Sequence, residues 1–301
     1  MTFNLKAACK KCSAETIKSY KRSILRLKNL NSATPSQSLP ETASWLKAKT
    51  LYEKYKKLPL EKRRALSVAA VKAGQAYGLK DNKKWYDAML SDIKEYKQKR
   101  SQQNKSEVEK KLWLEGGLKD LKRASTEYKR EIRRQLAENT LKSLYLYSKY
   151  LILRAYSELP LRNTLADVEI GSGENHLSKK KGIYTLKLTK YKTSAKVGPI
   201  EVPISRALST AITKYVKYRS QFDLDHKFLL VNAQGKKLSR KALGIILQKL
   251  SKKYLGKAVG TRQLRVQFAT ENREVIEKAL KISKGMLHSD MKTTKGYTRK
   301  S

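Results

Sequence analysis

Two residues near the end of the chain, His288 and Tyr297, have types and spacing that could do chemistry, and they lie nine residues apart. The segment between them is rich in Thr, Lys and Gly, which predicts a helix end followed by a turn that presents the tyrosine. A tyrosine among cations can act as a nucleophile when its proton is removed or its anion is stabilised. The alternative is a C-terminal tail in which Tyr297 only packs, and short motifs of this kind have many false matches. Other residues must decide between the two.

Cations upstream of these residues could bind a phosphate. Metal-free phosphodiester exchange needs cations on the non-bridging oxygens, an in-line nucleophile and a proton donor for the leaving oxygen. Arginine suits the first task, because its planar and permanently charged fork grips two oxygens. Arg162 follows an apolar predicted helix, and Lys192 lies at a predicted hairpin tip. Each of them could instead be a solvated cation or a contact that only positions phosphate.

A predicted helix near residue 261 carries two further arginines. Arg262 and Arg265 lie three residues apart, which places them on one face of that helix. The same helix is expected to bury Leu264 and Phe268. This box of two arginines could contact phosphate, or it could be an ordinary solvated helix face.

The charge of the chain points to a polyanionic partner. Lys and Arg number 68 against 26 Asp and Glu, so the 301-residue chain carries a formal charge of +42. Self-repulsion of this size destabilises a compact protein unless a polyanion is bound, and nucleic acid is the commonest one. The basic residues are spread along the whole chain and do not form one amphipathic helix, which favours nucleic acid over a membrane surface.

The start of the chain predicts neither a membrane segment nor a metal site. It contains no long apolar run, so we expect no signal peptide and no membrane span. Cys9 and Cys12 are the two cysteines; they supply at most two ligands, and no nearby His completes a zinc site. We expect reduced thiols in a cytoplasmic or nuclear protein that is not secreted.

Residues 1–103 are predicted to form a basic bundle of about four helices, beginning with a helix capped by Ser13. Its aromatic residues are expected in the core, not as platforms for stacked bases. The polar segment 97–111 lacks an apolar period and is predicted to be the linker to a second domain.

Residues 104–301 are predicted to be mostly α, with a small antiparallel sheet, so the fold class is α+β. Strand signals occur at 168–170, 182–189 and 198–204, and the loop between the last two closes a hairpin. An apolar helix towards residue 156 precedes the strands, and helices continue after them to residue 287.

The order of these features resembles the tyrosine recombinase (phage-type integrase) family. The features are Arg162, a hairpin lysine, the Arg262 to Arg265 box, and His288 followed nine residues later by Tyr297. The resemblance covers roughly residues 104–301, and the N-terminal bundle looks like the core-binding domain of that family. The residues that make up these motifs are most similar to those of integrases of large DNA viruses of protists and related mobile elements.

The resemblance implies a site-specific recombinase or integrase that cuts and rejoins double-stranded DNA through a 3′-phosphotyrosyl intermediate. It implies a homotetramer on two DNA duplexes and no metal or other cofactor, because the bond energy is kept in the phosphotyrosine. A type IB topoisomerase, which shares this chemistry, is one alternative. A non-enzymatic basic DNA-binding protein is another.

The resemblance also implies a role for each residue. Tyr297 would be the nucleophile, Arg162 and Arg265 would clamp the scissile phosphate, and His288 would donate a hydrogen bond to it. Lys192 would protonate the 5′-oxygen that leaves. Lys190 is its rival, because a hairpin tip lets either lysine swing in.

The chain departs from the family pattern at three places. Arg262 stands where the family usually has histidine, and a guanidinium donates hydrogen bonds but cannot accept a proton near neutral pH. The acidic residue usual three positions after the first arginine is replaced by Leu165, with Asp167 two further on. Only four residues follow Tyr297, so a long C-terminal helix exchanged between protomers is not expected within this sequence.

Overall fold

The structure is a computed structural model that describes residues 4–285, with side chains up to residue 281. It divides into two compact units, Met1–Lys105 (unit 1) and Ser106–Ser301 (unit 2). Each unit has its own hydrophobic core.

Unit 1 is a helical bundle, as the sequence predicts. Its α-helices are α1 (Ala14–Asn29), α2 (Lys49–Lys56), α3 (Leu60–Ala76) and α4 (Lys83–Ser101), with short 3-10 helices at Ala7–Cys9 and Ser44–Lys47. The Ser13 side chain accepts a hydrogen bond from the Thr16 N–H and so caps α1, as expected.

Most aromatic residues of unit 1 lie in its core or pack against it, as predicted, whereas Tyr86 is exposed. The Trp85 ring meets the rings of Tyr52 and Tyr55 edge-on, at centroid distances of 5.3 and 5.1 Å. Its indole N–H donates to the carbonyl oxygen of Leu46 at 2.9 Å. The apolar body is therefore buried while the polar atom keeps a partner.

A buried carboxylate, Asp92, joins three helices of unit 1. Tyr55 of α2 and Ser67 of α3 both donate hydrogen bonds to Asp92 Oδ2, and Arg63 Nε lies 3.4 Å from Oδ1. Burial raises the pKa of Tyr55, and the hydrogen bond to Asp92 raises it further. The carboxylate is stable in this core because each oxygen has a polar or charged neighbour.

The predicted linker at 97–111 is wrong in extent, because helices enter it from both sides. The α4 helix continues to Ser101, and α5 (Glu107–Lys111) begins after Ser106. The end of α4 carries charged residues on solvent-facing positions, where a helix needs no apolar period. The capping box of Ser106 and Glu109 marks the start of α5 and is the signal that the sequence contained.

The prediction of two reduced thiols is also corrected. Cys9 and Cys12 are joined by a disulfide. A turn brings their Cα atoms within 5.4 Å, which suits a disulfide, and the N–H of Cys12 donates to the carbonyl oxygen of Cys9 in that turn.

Within residues 4–285, no group of three or more His, Cys, Asp or Glu side chains is placed to hold a metal ion. In the same range, no helix combines the length and the apolar character that crossing a membrane requires.

Unit 2 packs helices around a central apolar helix and places a sheet beside it. Its described α-helices are α5, α6 (Leu118–Glu131), α7 (Arg133–Ala137), α8 (Leu141–Tyr156), α9 (Ser194–Val197), α10 (Arg206–Arg219), α11 (Arg240–Leu255), α12 (Thr261–Glu271) and α13 (Arg273–Gly285). The α8 helix is the predicted apolar helix, and Ile152, Leu153 and Tyr156 in it are fully buried.

The sheet of unit 2 has four strands in sequence order. They are β1 (Glu169–Ile170), β2 (Asn175–Lys180), β3 (Ile183–Leu188) and β4 (Ile200–Pro203). The pair β3–β4 is antiparallel, as predicted. The pair β2–β3 is antiparallel too, while the short β1 pairs parallel to β2 and makes the sheet mixed.

Strand β2 was not predicted, because its sequence offers few apolar residues. Leu177 is its one fully buried apolar side chain, and the strand exists because all its residues pair with β3. The turn between them has positive φ at Lys181 (47°) and Gly182 (81°), the backbone of a tight hairpin turn. That Lys-Gly pair was the available signal.

We predict that Asp92→Ala lowers the free energy of unfolding of unit 1 by about 3–5 kcal/mol, because it leaves buried polar partners uncompensated. The measurement is urea unfolding followed by tryptophan fluorescence in a Trp113→Phe background, which leaves Trp45 and Trp85, both in unit 1. Asp87→Ala, an exposed aspartate of the same helix, is the control and should stay within about 0.5 kcal/mol. Equal effects of the two substitutions would contradict this account.

Candidate functional site

The described part of the predicted site lies in unit 2. It comprises Arg162, Lys192, Arg262 and Arg265. His288 and Tyr297 lie outside the described residues.

Arg162 is positioned by the chain that leaves α8. The buried Tyr156 at the end of α8 donates its hydroxyl hydrogen to the carbonyl oxygen of Arg162 at 2.8 Å. Arg162 has extended backbone and directly precedes the 3-10 helix Asn163–Asp167, in which Leu165 is buried. The backbone is thus fixed from both sides, while the guanidinium reaches solvent.

The α12 helix presents Arg262 and Arg265, three residues apart as predicted. Its opposite side is buried through Leu264, which has no exposed surface, and through Gln267. The Gln267 amide accepts from the N–H of Leu114 at 3.2 Å and donates to its carbonyl oxygen at 2.5 Å. Arg262 is exposed, and Arg265 is partly buried.

The predicted burial of Phe268 is wrong, because its side chain is 39% exposed. Buried glutamine side chains at positions 263 and 267 take part in docking α12, so the helix is held by hydrogen bonds as well as by Leu264. The sequence prediction assumed that the apolar residues of α12 mark its buried side. Because glutamines take core-facing positions in this helix, that assumption failed for Phe268.

Asn163 joins the loop that carries Arg162 to the helix that carries the other arginines. Its Oδ1 accepts a hydrogen bond from the hydroxyl of Thr261, the first residue of α12, at 2.9 Å. Its Nδ2 donates to the carbonyl oxygen of Arg240 at 2.9 Å. A Cβ at Gly244 would lie 3.1 Å from that Nδ2, so α11 can approach this closely because it has glycine there. Sequence reasoning missed Asn163.

Arg162 and Arg262 are both close enough to Arg265 to act on it electrostatically. Burial lowers the pKa of the Arg265 guanidinium, and the positive charges of Arg162 and then Arg262 lower it further, while Tyr156 acts in the opposite direction. Arg265 Nε is buried and has no hydrogen-bond partner among the described residues. An anion bound here would relieve the repulsion and could satisfy this donor.

The loop between β3 and β4 carries both candidate lysines and is held at its start by a buried asparagine. Asn175 Oδ1 accepts from the N–H groups of Thr189 and Lys190 at 3.1 and 3.0 Å, and its Nδ2 donates to the carbonyl oxygen of Lys190 at 2.9 Å. Asn175 is another positioning residue that sequence reasoning missed, because β2 was not predicted.

The two lysines differ in what they contact. Lys190 Nζ forms an ion pair with Glu174 at 3.0 Å, and both side chains are largely exposed. Lys192 is exposed, and within residues 4–285 no hydrogen bond or ion pair engages its side chain. Whereas the arginines are brought together, Lys192 remains on this loop with its amine uncommitted.

The acidic residue near Arg162 has a structural role in this state. Asp167 forms ion pairs with Lys237, at 2.9 Å, and with Arg240 at the start of α11. Leu165, which stands at the position where the family has an acid, belongs to the core. A different carboxylate, that of Glu109 in α5, lies 3.3 Å from Arg262 Nη2.

Comparison with known proteins gives one family match. The model described as the phage integrase family matches residues 165–301, which include every predicted site residue except Arg162. Among solved structures, a crystal structure of XerA recombinase is similar to 97% of this chain and 90% of its own, at 16% identity and a TM-score of 0.40. No curated protein sequence matches the chain.

We predict that inorganic phosphate raises the melting temperature of the protein by binding among the three arginines. At about ten times the dissociation constant the gain is about 1.4 kcal/mol. Arg265→Gln should lose most of this gain. Arg206→Gln, which removes an exposed charge from α10, should keep it. If both variants lose the same amount, phosphate binds the basic surface in general and the arginines form no defined anion site.

Proposed function

We propose, from the match of residues 165–301 to the phage integrase family, that this chain is a site-specific DNA recombinase acting through a 3′-phosphotyrosyl intermediate. The observation that carries the proposal is the convergence of Arg162, Arg262 and Arg265, with an unpaired donor buried on Arg265 among the described residues. Such a group of fixed cations suits a phosphate whose charge grows in the transition state.

In the proposed reaction the Tyr297 oxygen attacks the scissile phosphorus in line with the 5′-oxygen. The new bond is a 3′-phosphotyrosine, the bond to the 5′-oxygen breaks, and that oxygen takes up a proton. Arg162 and Arg265 bind the non-bridging oxygens. Because one phosphodiester replaces another, the step needs no external energy source, and attack by a 5′-hydroxyl reverses it.

Proton transfer in this reaction falls to residues other than Arg262. A guanidinium stays charged near neutral pH, so Arg262 donates hydrogen bonds to the phosphate and takes no proton. His288 is the proposed partner of the phosphate and, with water or a substrate oxygen, the acceptor of the tyrosine proton.

Lys192 is the proposed general acid for the 5′-oxygen. Its uncommitted amine supports this choice over Lys190, whose amine is paired with Glu174. This ion pair is exposed and therefore weak, so it favours a position of the Lys190 amine beside Glu174 but does not fix it there.

The DNA complex is proposed from charge and family. The charge of +42 suits a protein that surrounds duplex DNA. Residues 1–103 would be the core-binding domain and residues 104–301 the catalytic domain, with a homotetramer on two duplexes as the active assembly. The protein would act wherever its target DNA lies, in cytoplasm or nucleus, and would not be secreted.

We predict that the wild-type protein forms a denaturation-resistant adduct with members of a pool of nicked duplexes of random sequence, and that Tyr297→Phe forms none. A nick close to the cut site makes the fragment with the free 5′-hydroxyl short. This fragment diffuses away and cannot reverse the reaction, so the covalent link is trapped. Tyr86→Phe, at an exposed tyrosine of unit 1, is the matched control and should form the adduct normally. Adduct formation by Tyr297→Phe would refute the proposed nucleophile.

Selected duplexes then separate recombination from topoisomerase activity. A recombinase exchanges strands between two copies of the selected site, whereas a type IB topoisomerase relaxes supercoiled plasmid without needing a second site. Binding with a steep salt dependence and no adduct on any duplex would indicate a non-enzymatic DNA-binding protein.

We predict that Lys192→Ala slows cleavage by about 10²–10⁴-fold, as expected for loss of a general acid. A duplex with sulfur in place of the 5′-bridging oxygen should restore most of the rate, because a thiolate leaves without protonation. Lys190→Ala should cleave the ordinary duplex nearly as fast as wild type. If Lys190→Ala shows the larger loss and the sulfur rescue, the two lysines are assigned in the wrong order.

A further inference from the structure

Glu109 is a buried carboxylate beside Arg262, the arginine that stands where the family usually has histidine. Its side chain is 6% exposed, although it belongs to the short helix α5 at the start of unit 2. Buried carboxylates are uncommon and need partners, so its position calls for an explanation.

The carboxylate of Glu109 is held by contacts within its own helix as well as by the arginine. Its Oε2 accepts a hydrogen bond from the N–H of Ser106 at 2.9 Å, and the Ser106 hydroxyl accepts one from the N–H of Glu109 at 3.3 Å. This reciprocal capping box holds the side chain against the first turn of α5. The other oxygen, Oε1, faces Arg262.

The same residue is also tied to α12 through its backbone. Gln263, the neighbour of Arg262, donates its side-chain amide hydrogen to the carbonyl oxygen of Glu109 at 3.4 Å. Gln267 binds both backbone groups of Leu114 further along. Hydrogen bonds therefore join the backbone around Glu109 directly to the helix that carries Arg262.

Arg262 is held by this carboxylate and remains available. Its Nη2 lies 3.3 Å from Glu109 Oε1, yet its side chain is 69% exposed. A guanidinium has several N–H donors in a planar fork, and this contact uses one nitrogen. Among the described residues no other group binds its remaining donors, which can therefore face a phosphate.

The neighbouring charge of Arg265 works against this position of Arg262. The two guanidinium groups carry like charges and are close enough to interact, so they repel one another. An arginine side chain is long and has many rotamers, so without a partner it would spend most of its time turned out into solvent. Glu109 opposes both effects before any DNA is bound.

We propose that Glu109 is a positioning residue for strand cleavage, which holds the Arg262 fork in place for the scissile phosphate. The inference rests on the proposed function. The opposite role, in which Glu109 blocks the site and phosphate must displace it, is disfavoured because the contact occupies a single nitrogen of Arg262.

The experiment compares wild type, Glu109→Gln, Arg262→Gln and the double variant on one selected nicked duplex, in single turnovers. Glutamine keeps one oxygen for the Ser106 N–H and turns an amide N–H towards Arg262, so it removes the hold and keeps the cap. We expect Glu109→Gln to lower the adduct-forming rate at saturating DNA by on the order of tenfold. The half-saturating DNA concentration should change less than about twofold, because most contacts to DNA lie elsewhere.

Two further comparisons exclude a merely structural effect. In the double variant, Glu109→Gln should add nothing to Arg262→Gln, because both act through one guanidinium. Glu131→Gln, which breaks the exposed contacts of Glu131 with Lys253 and Tyr254 on the same unit, should leave the rate unchanged. An unchanged or faster rate in Glu109→Gln, or a further loss in the double variant, would overturn the proposal.

A second readout separates this inference from the proposed function. If wild type forms no adduct, the proposed function fails, and nuclear magnetic resonance of the arginine side chains still decides the hold on Arg262. Rotation of its guanidinium should be slow in wild type and in Glu131→Gln, and fast in Glu109→Gln. Equal rotation in all three would show that Glu109 does not hold Arg262.

Discussion

Repulsion between like-charged guanidinium groups is the constraint that unit 2 must overcome around Arg265. Arg162 and Arg262 both lower the pKa of Arg265, which is itself partly buried. Groups that repel one another stay together only if the backbone beneath them is fixed. That fixing comes from packing of the neighbouring helices and from buried side-chain amides, and both hold independently of the charges.

Those amides link segments that are far apart in sequence. Asn163 ties the loop after α8 to the first turn of α12, and Gln267 ties α12 to Leu114. Asn175 does the same for the lysine loop. These bonds are buried or partly buried, and an unpaired polar group is costly in such a place, while a paired one favours a single arrangement. The result is a fixed backbone beneath a group of cations that could bind a phosphate.

The sequence predicted what depends on local periodicity. The spacing of Arg262 and Arg265 gave their shared helix face, and the alternation of Tyr184 and its neighbours gave β3, because both follow from backbone geometry. It could not predict β2, whose existence depends on a partner strand, or the contact between Glu109 and Arg262, which are 153 residues apart. The disulfide was missed because the spacing of two cysteines fits reduced thiols equally well.

In the proposed reaction, the group of Arg162, Arg262 and Arg265 binds the phosphate that Tyr297 attacks to form a covalent bond with DNA. The most direct measurement is mass spectrometry of the protein–DNA adduct after digestion with protease and nuclease. The account predicts a peptide that contains Tyr297 and carries a nucleotide through its 3′-phosphate. A nucleotide attached to a different residue, or attached through a 5′-phosphate, would contradict it.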